Sequence, residues 1–262
     1  MSSLRLPYRY YRTIPLTQMG YVEETIQLDA RRTALVVLHC WDIGCEGGPE
    51  IDPNFFVGMG SVESFREAAR ILQQYIRTAM DAARRSGLPV CHVEHPDIAR
   101  QYPQSAEEQD APTPCSQHFS PPAVPGWNEA MTDRSHGRDY ATRSPYARMG
   151  RARTAEILPH EPVAWQTAQF DRQLRKRSIE NLIYCGFAAD MCILRAAGGL
   201  ESMRSYGYRL FLLRDATAGV EFPDTIHEML ATRWAIRYFE THGGNTVLTA
   251  DFIRACQELR AI

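Results

Sequence analysis

The sequence predicts an α/β fold, a three-layer α-β-α sandwich around a six-stranded parallel sheet. Three observations carry this expectation. Short apolar runs recur at 33–38, 88–93, 162–165, 181–184, 209–213 and 246–248 without polar alternation, as strands covered on both faces require. Helix-period segments separate them, the order expected of a sheet with helices on both faces. The chain has 262 residues, 44% of them hydrophobic, enough for one large core.

Residues 1–30 read as an N-terminal arm, with Tyr8, Tyr10, Tyr11, Ile14, Leu16 and Tyr21 free to pack on the body or on a neighbouring subunit. The domain proper covers 31–262. Its first strand, 33–38, ends at His39, and the Gly/Pro-rich stretch 40–60 reads as a loop. A long amphipathic helix follows over 61–85. Phe65, Ala68, Ile71, Leu72, Ile76 and Met80 form its inner stripe, and Gly87 ends it. After the strand 88–93, an insertion at about 96–146 carries many Pro, Ser, Asp and Gln and no clear period. A loop that long suits a lid, a partner contact or a disordered segment better than core. Short helices at 153–158 and 170–177 then alternate with the strands 162–165 and 181–184. A helix over 192–206 is stopped by Gly207, and Asp224 can cap a helix over 225–241 that ends at Gly243-Gly244. The strand 246–248 and a helix over 251–259 complete the chain.

Composition excludes several classes. A net charge of −2 gives no electrostatic case for nucleic acid or an anionic membrane. No apolar run approaches the roughly 20 residues a bilayer needs. The polar, arginine-rich first residues lack the apolar core of a signal peptide. Seven cysteines without CxxC spacing fit a reduced, cytoplasmic protein better than a disulfide scaffold. There is no GxGxxG after a strand and no P-loop, and neither a cofactor nor a metal is expected. Of the 29 basic residues only Lys176 is a lysine, so any mechanism that needs one has a single candidate.

In open α/β sheets the site lies outside the carboxyl ends of the strands. His39, Glu94, His95, Trp165, Cys192 and Asp215 all fall there. Cys192 sits in the first turn of the helix that follows the strand over 181–184. Free amides and the helix dipole there lower a thiol's pKa and can hold an oxyanion. The alternative is a buried packing cysteine.

Three blocks resemble the isochorismatase-like cysteine hydrolases, which include nicotinamidases and N-carbamoylsarcosine amidases. They are Thr33-Ala34-Leu35-Val36-Val37-Leu38-His39, Gly186-Phe187-Ala188-Ala189-Asp190-Met191-Cys192, and Arg214-Asp215-Ala216-Thr217-Ala218 with His227. The resemblance implies an Asp, Lys and Cys triad and a cis peptide before the cysteine. Carried over, Cys192 is the nucleophile, the cis bond is Phe187–Ala188, and the amides of Ala188 and Cys192 bind the oxyanion. Two triad positions depart from the family: the aspartate position holds His39 and the lysine position holds Trp165. A Cys–His pair can activate a thiol without a carboxylate, so His39 takes the role of base. Trp165, Trp41, Phe187 and Glu94 are assigned to substrate binding.

Other residues have competing readings. Asp42 can orient His39 or be an exposed loop acid. Glu94, His95 and Asp97 lie where metal-bearing relatives keep ligands, but their spacing does not reproduce that set. Arg138, Arg143, Arg148, Arg151 and Arg153 are solvated, or one or two reach over the pocket to a substrate carboxylate. The expected activity is hydrolysis of a small non-peptide C–N bond in an amide, imide or ureido compound. The alternative is a catalytically silent relative that binds a ligand or a partner subunit. The expected partners are a small-molecule substrate and further copies of the chain, as a dimer or tetramer.

Overall fold

The structure is a computed structural model that describes residues 3–52, 61–108 and 124–260. In chain order, β1 (Ser3–Arg12), β2 (Gly20–Asp29) and β3 (Thr33–Leu38) come first. One helical stretch follows, made of α1 (Val62–Ile71), a π turn (Leu72–Ile76) and α2 (Arg77–Ser86). Then come β4 (Val90–Val93), α3 (Pro96–Ala99), α4 (Trp127–His136), α5 (Tyr140–Arg143), β5 (Val163–Ala164), α6 (Thr167–Lys176) and β6 (Asn181–Phe187). The chain closes with α7 (Cys192–Arg195), α8 (Leu200–Arg204), β7 (Arg209–Ala218), α9 (Leu230–Thr241), β8 (Asn245–Val247) and α10 (Thr249–Arg260).

All eight strands form one sheet in the order β2-β1-β8-β7-β6-β3-β4-β5. The six strands from β3 to β8 are mutually parallel, as the apolar runs predict. The sheet exceeds the expected six because the arm is a hairpin. β1 and β2 pair antiparallel over ten positions, and β1 joins β8 at Arg9 and Thr246. The physical cause is a period-2 pattern in which Leu4 and Leu6 turn inward and are fully buried.

Alternation along each parallel strand feeds two cores. Leu35, Val37, Ile183 and Phe211 pack with Phe65, Ile76 and Phe252 on one face. Ala34, Val36, Leu182 and Tyr184 pack with Phe170 and Leu174 on the other. The inner stripe predicted for the long helix is wholly buried, and the Ser61 hydroxyl caps its start by accepting from Ser64 N–H.

Three helices differ from expectation. The helix predicted over 192–206 breaks into α7 and α8 at Gly198-Gly199. There Gly198 donates its N–H to Thr167 Oγ1 and accepts from the Tyr184 hydroxyl. A Cβ on Gly199 would lie 2.8 Å from the Cys192 carbonyl oxygen, so only glycine fits the turn. The helix predicted over 225–241 begins at Leu230, because Thr225 instead closes a turn by accepting from Phe222 N–H. The helix predicted over 153–158 is a single 3-10 turn, Arg153–Ala155. The insertion carries α3, α4 and α5, and its residues 109–123 lie outside the described residues.

Candidate active site

β3 and β6 are neighbours, with Leu38 opposite Gly186. Gly186 has φ +123°, and a Cβ there would lie 1.9 Å from the Leu38 carbonyl oxygen. That close approach brings the turn after β6 against the end of β3. The Phe187–Ala188 peptide is cis. Ala189 N–H donates to Ala218 O and Ile193 N–H to Ala188 O, while Asp190 Oδ1 accepts from Val220 N–H at 2.9 Å. The cysteine loop is thereby fastened to the end of β7. On the other side, His39 sits in the left-handed region (φ +48°) with its N–H bonded to Val93 O. A non-glycine residue there is uncommon, and it turns the chain sharply out of β3.

These two turns line one cavity of about 470 Å³. Cys192, Ala188, Phe187, His39 and Trp41 line it. Tyr140, Ser144, Tyr146 and Met149 join them from the insertion and the residues just after it, with His95, Asp97 and Met191 also lining it. The cavity is large enough for a ring-sized ligand.

The His39 ring stacks on Trp41 with centroids 4.9 Å apart and planes 22° apart. Its buried Nδ1 has no hydrogen-bond partner among the described residues. Burial pushes the imidazole pKa down to about 3, and His95 and Arg151 push it the same way, so His39 is neutral at pH 7. The Cys192 thiol is raised above its ordinary value, first by burial and then by Asp190, against the lowering effect of the Ala188 N–H. The sequence predicts a lowered thiol. Desolvation reverses that, and α7 is only four residues long, too short to carry a strong dipole.

Behind the cavity lies a buried polar network. Trp41 Nε1–H donates to Glu94 Oε2 at 3.1 Å, and Glu94 is paired with Arg151. Arg151 also donates to Ala155 O at 2.6 Å and to His92 Nδ1 at 2.9 Å. His92 Nε2–H in turn meets Glu161 Oε2 at 2.7 Å. Burial lowers the His92 pKa to about 4. Burial alone would raise Glu161, but bonds from His92 and Arg84 outweigh it and hold that carboxyl at about 2. The backbone is fastened in parallel. Asp42 N–H donates to Gly150 O, Gly150 N–H to Asp42 Oδ1, and Ala152 N–H to Cys40 O.

Of the residues assigned from sequence, Cys192, His39, Ala188, Trp41 and Phe187 line the cavity. Glu94 and Trp165 do not. Glu94 is spent on Trp41 and Arg151, one layer back. The Trp165 ring lies under the Arg100 guanidinium, 4.8 Å away, and the Trp165 backbone N–H donates to Gln169 Oε1. Asp42 neither orients His39 nor stands free, since it ties down Gly150. Lys176 pairs with Glu107 and Glu108, and Asp215 holds Thr249 at the start of α10. No arginine reaches over the cavity among the described residues. Sequence reasoning missed Tyr140, Ser144, Tyr146 and Met149, for which aromatic residues in a polar stretch are the one available signal. No group of three or more His, Cys, Asp or Glu that could hold a metal occurs among the described residues.

Residues 154–251 match the isochorismatase domain family. The ureidoacrylate amidohydrolase RutB of Azorhizobium caulinodans is 36% identical over 98 residues, which are 35% of this chain and 37% of that enzyme. The chain thus matches little more than a third of that relative's length. A cysteine hydrolase from Pseudomonas syringae superposes with a TM-score of 0.56 at 16% identity, over 88% of this chain and 95% of its own. That likeness is one of fold. The family match is thus confined to 154–251, while the architecture shared with the cysteine hydrolase is the α/β fold of the chain as a whole.

Proposed function

We propose that the protein hydrolyses a small non-peptide C–N bond through an acyl-enzyme on Cys192. The observation that carries this reading is the meeting of Cys192, the cis Phe187–Ala188 turn and an unprotonated His39 in one ligand-sized cavity. Sγ attacks the substrate carbonyl carbon, and His39 takes the thiol proton as the C–S bond forms. The amides of Ala188 and Cys192 hold the oxyanion. The tetrahedral adduct collapses with the proton passing to the leaving nitrogen, and water then cleaves the thioester, releasing acid and thiol. Neither carboxylate behind the wall competes for the role of base, because Glu94 and Asp42 are both engaged. Asp97 is the one further carboxylate on the cavity among the described residues. The curated relative's name gives its own substrate as ureidoacrylate, whose ureido C–N bond falls within this class although the molecule also carries a carboxylate. A panel of small amides, imides, ureido compounds and esters, assayed on wild type and Cys192→Ala, tests the reading. Turnover that survives in Cys192→Ala would sink it.

A second reading, binding without turnover, is favoured by one observation: the thiol and the imidazole are both held in their neutral forms. It predicts that panel members shift the melting temperature without being consumed. We further propose a reduced, cytoplasmic setting, supported by six free thiols among the described residues, and self-association of the chain, supported by its exposed hairpin. Among the described residues no helix is long and apolar enough to cross a membrane.

A further inference from the structure

We infer that the cavity selects uncharged, flat carbonyl compounds and rejects those that carry a carboxylate. This rests on reading the cavity as the substrate site, and it adds the charge of the substrate to that reading.

The cavity offers a carboxylate no counter-ion. Among the described residues no Arg or Lys lines it. The stretches 53–60 and 109–123 contain neither residue in sequence. The nearby arginines are committed elsewhere: Arg143 to Asp52, Arg148 to Glu50 O at 3.5 Å, Arg138 to Asp133 at 3.4 Å, and Arg151 to Glu94. His39, which lines the cavity, is uncharged at neutral pH. Asp97, also in the lining, brings a negative charge, with His95 Nδ1 3.6 Å from its Oδ2. A carboxylate entering here would shed water without gaining a paired cation, and unpaired charges are costly to bury. Proteins that bind carboxylates tightly supply a guanidinium fork, which this wall lacks.

What the wall does offer suits a neutral π-system. Trp41 presents an indole already stacked on the neutral His39 ring, with Tyr146 edge-on to it at 5.7 Å. Phe187, at the cis turn before the cysteine, adds a further aromatic side chain to the lining. Such faces bind flat amides and ureas by area and quadrupole rather than by charge.

Iodoacetamide and iodoacetate test this directly, since they deliver nearly the same group to Cys192 and differ in charge. The full-length protein is alkylated at pH 8.5 and low salt, and the Cys192 peptide is followed by mass spectrometry to separate it from the other thiols. The ratio of the iodoacetamide rate to the iodoacetate rate is compared with that of 2-mercaptoethanol. The expected ratio at Cys192 is at least fivefold higher, and any smaller value overturns the inference. Benzamide should slow alkylation at millimolar concentration and benzoate should not; equal protection also overturns it. Met149→Arg, or Met191→Arg should the first fail to fold, supplies the missing cation and should bring the ratio down to that of the free thiol. An unchanged ratio in a folded variant counts against the inference. Alkylation needs no turnover. A protein that hydrolyses nothing yet keeps the ratio refutes the hydrolase reading alone, and a hydrolase with a ratio near that of the free thiol refutes this inference alone.

Discussion

His39 governs how the site responds to pH. A free imidazole titrates near 6.5, so the sequence leads one to expect activity to fall as pH drops through 6–7. Burial moves the group to about 3. With His39 as base, kcat/KM should stay level from pH 7.5 down to 5 and rise on the alkaline side as the raised Cys192 thiol ionises. A half-loss between pH 7 and 6 would assign the base to another group. His39→Ala should cost on the order of 10²-fold, and Cys192→Ser should be nearly inactive. The same shift links to stability. Between pH 6.5 and 3 the unfolded chain holds a proton on His39 that the folded chain does not, so stability rises with pH there and is lost on acidification. The slope reaches at most about 1.4 kcal/mol per pH unit for one such group. His92, lowered to about 4, acts with the same sign. Melting temperature should therefore fall as pH goes from 7 to 5, and His39→Asn should flatten that fall; an identical slope in the variant would disprove the linkage. At this scale the positions of Cys192 and His39 are legible in the sequence, because strand ends are. Their protonation is not, because it depends on what the folded chain packs around them.

Among the elements, the loop after β3 and the segment after the insertion form one unit. Residues 40–42 run antiparallel to 150–152, and the Glu94–Arg151 pair ties the latter to the residue that follows β4. Both side chains are almost completely buried, with 4% of Arg151 and none of Glu94 exposed. Glu94→Ala would leave a guanidinium unpaired in the interior and should destabilise by about 3–5 kcal/mol in urea unfolding. The double variant Glu94→Leu with Arg151→Met removes both charges and should recover most of that loss. A double variant no more stable than Glu94→Ala would show that the pair itself is not what holds the loop. Arg151 reads as a surface arginine in sequence because its partners lie 57 and 59 positions away. Trp165 misleads for the reverse reason. Its place after β5 points it at the site, but Arg100 from the insertion covers the ring. The break between α7 and α8 was equally hidden. Helix period continues across it, and only the tertiary bonds of Gly198 to Thr167 and Tyr184 impose the turn.

At the scale of the whole molecule, the hairpin changes how the sheet ends. β2 is the outermost strand on that side, ten residues long, and no strand among the described residues covers its outer edge. Long open edges are templates for pairing. The connection between β1 and β2 adds apolar surface, with Ile14 76% and Leu16 77% exposed. The rest of the hairpin is held firmly. Arg237 of α9 lies over Tyr11 at 3.7 Å and over Tyr21 at 4.6 Å, and Arg9 reaches Glu240 at 2.8 Å. An ordered hairpin with an apolar tip and an unpaired edge is more consistent with a contact between copies than with a loose tail. Centring two antiparallel β2 strands on Thr25 would set Glu23 against Gln27 and Glu24 against Ile26, so no like charges face each other. Light scattering at about 10 μM should therefore give a dimer or larger, and Ile14→Asp with Leu16→Asp should shift it toward monomer with an unchanged far-UV spectrum. A wild-type monomer at that concentration would remove the hairpin from any role in assembly. A dimer that survives both substitutions would move the contact away from the tip, and Thr25→Pro would then test the edge itself, because proline removes a donor that strand pairing needs.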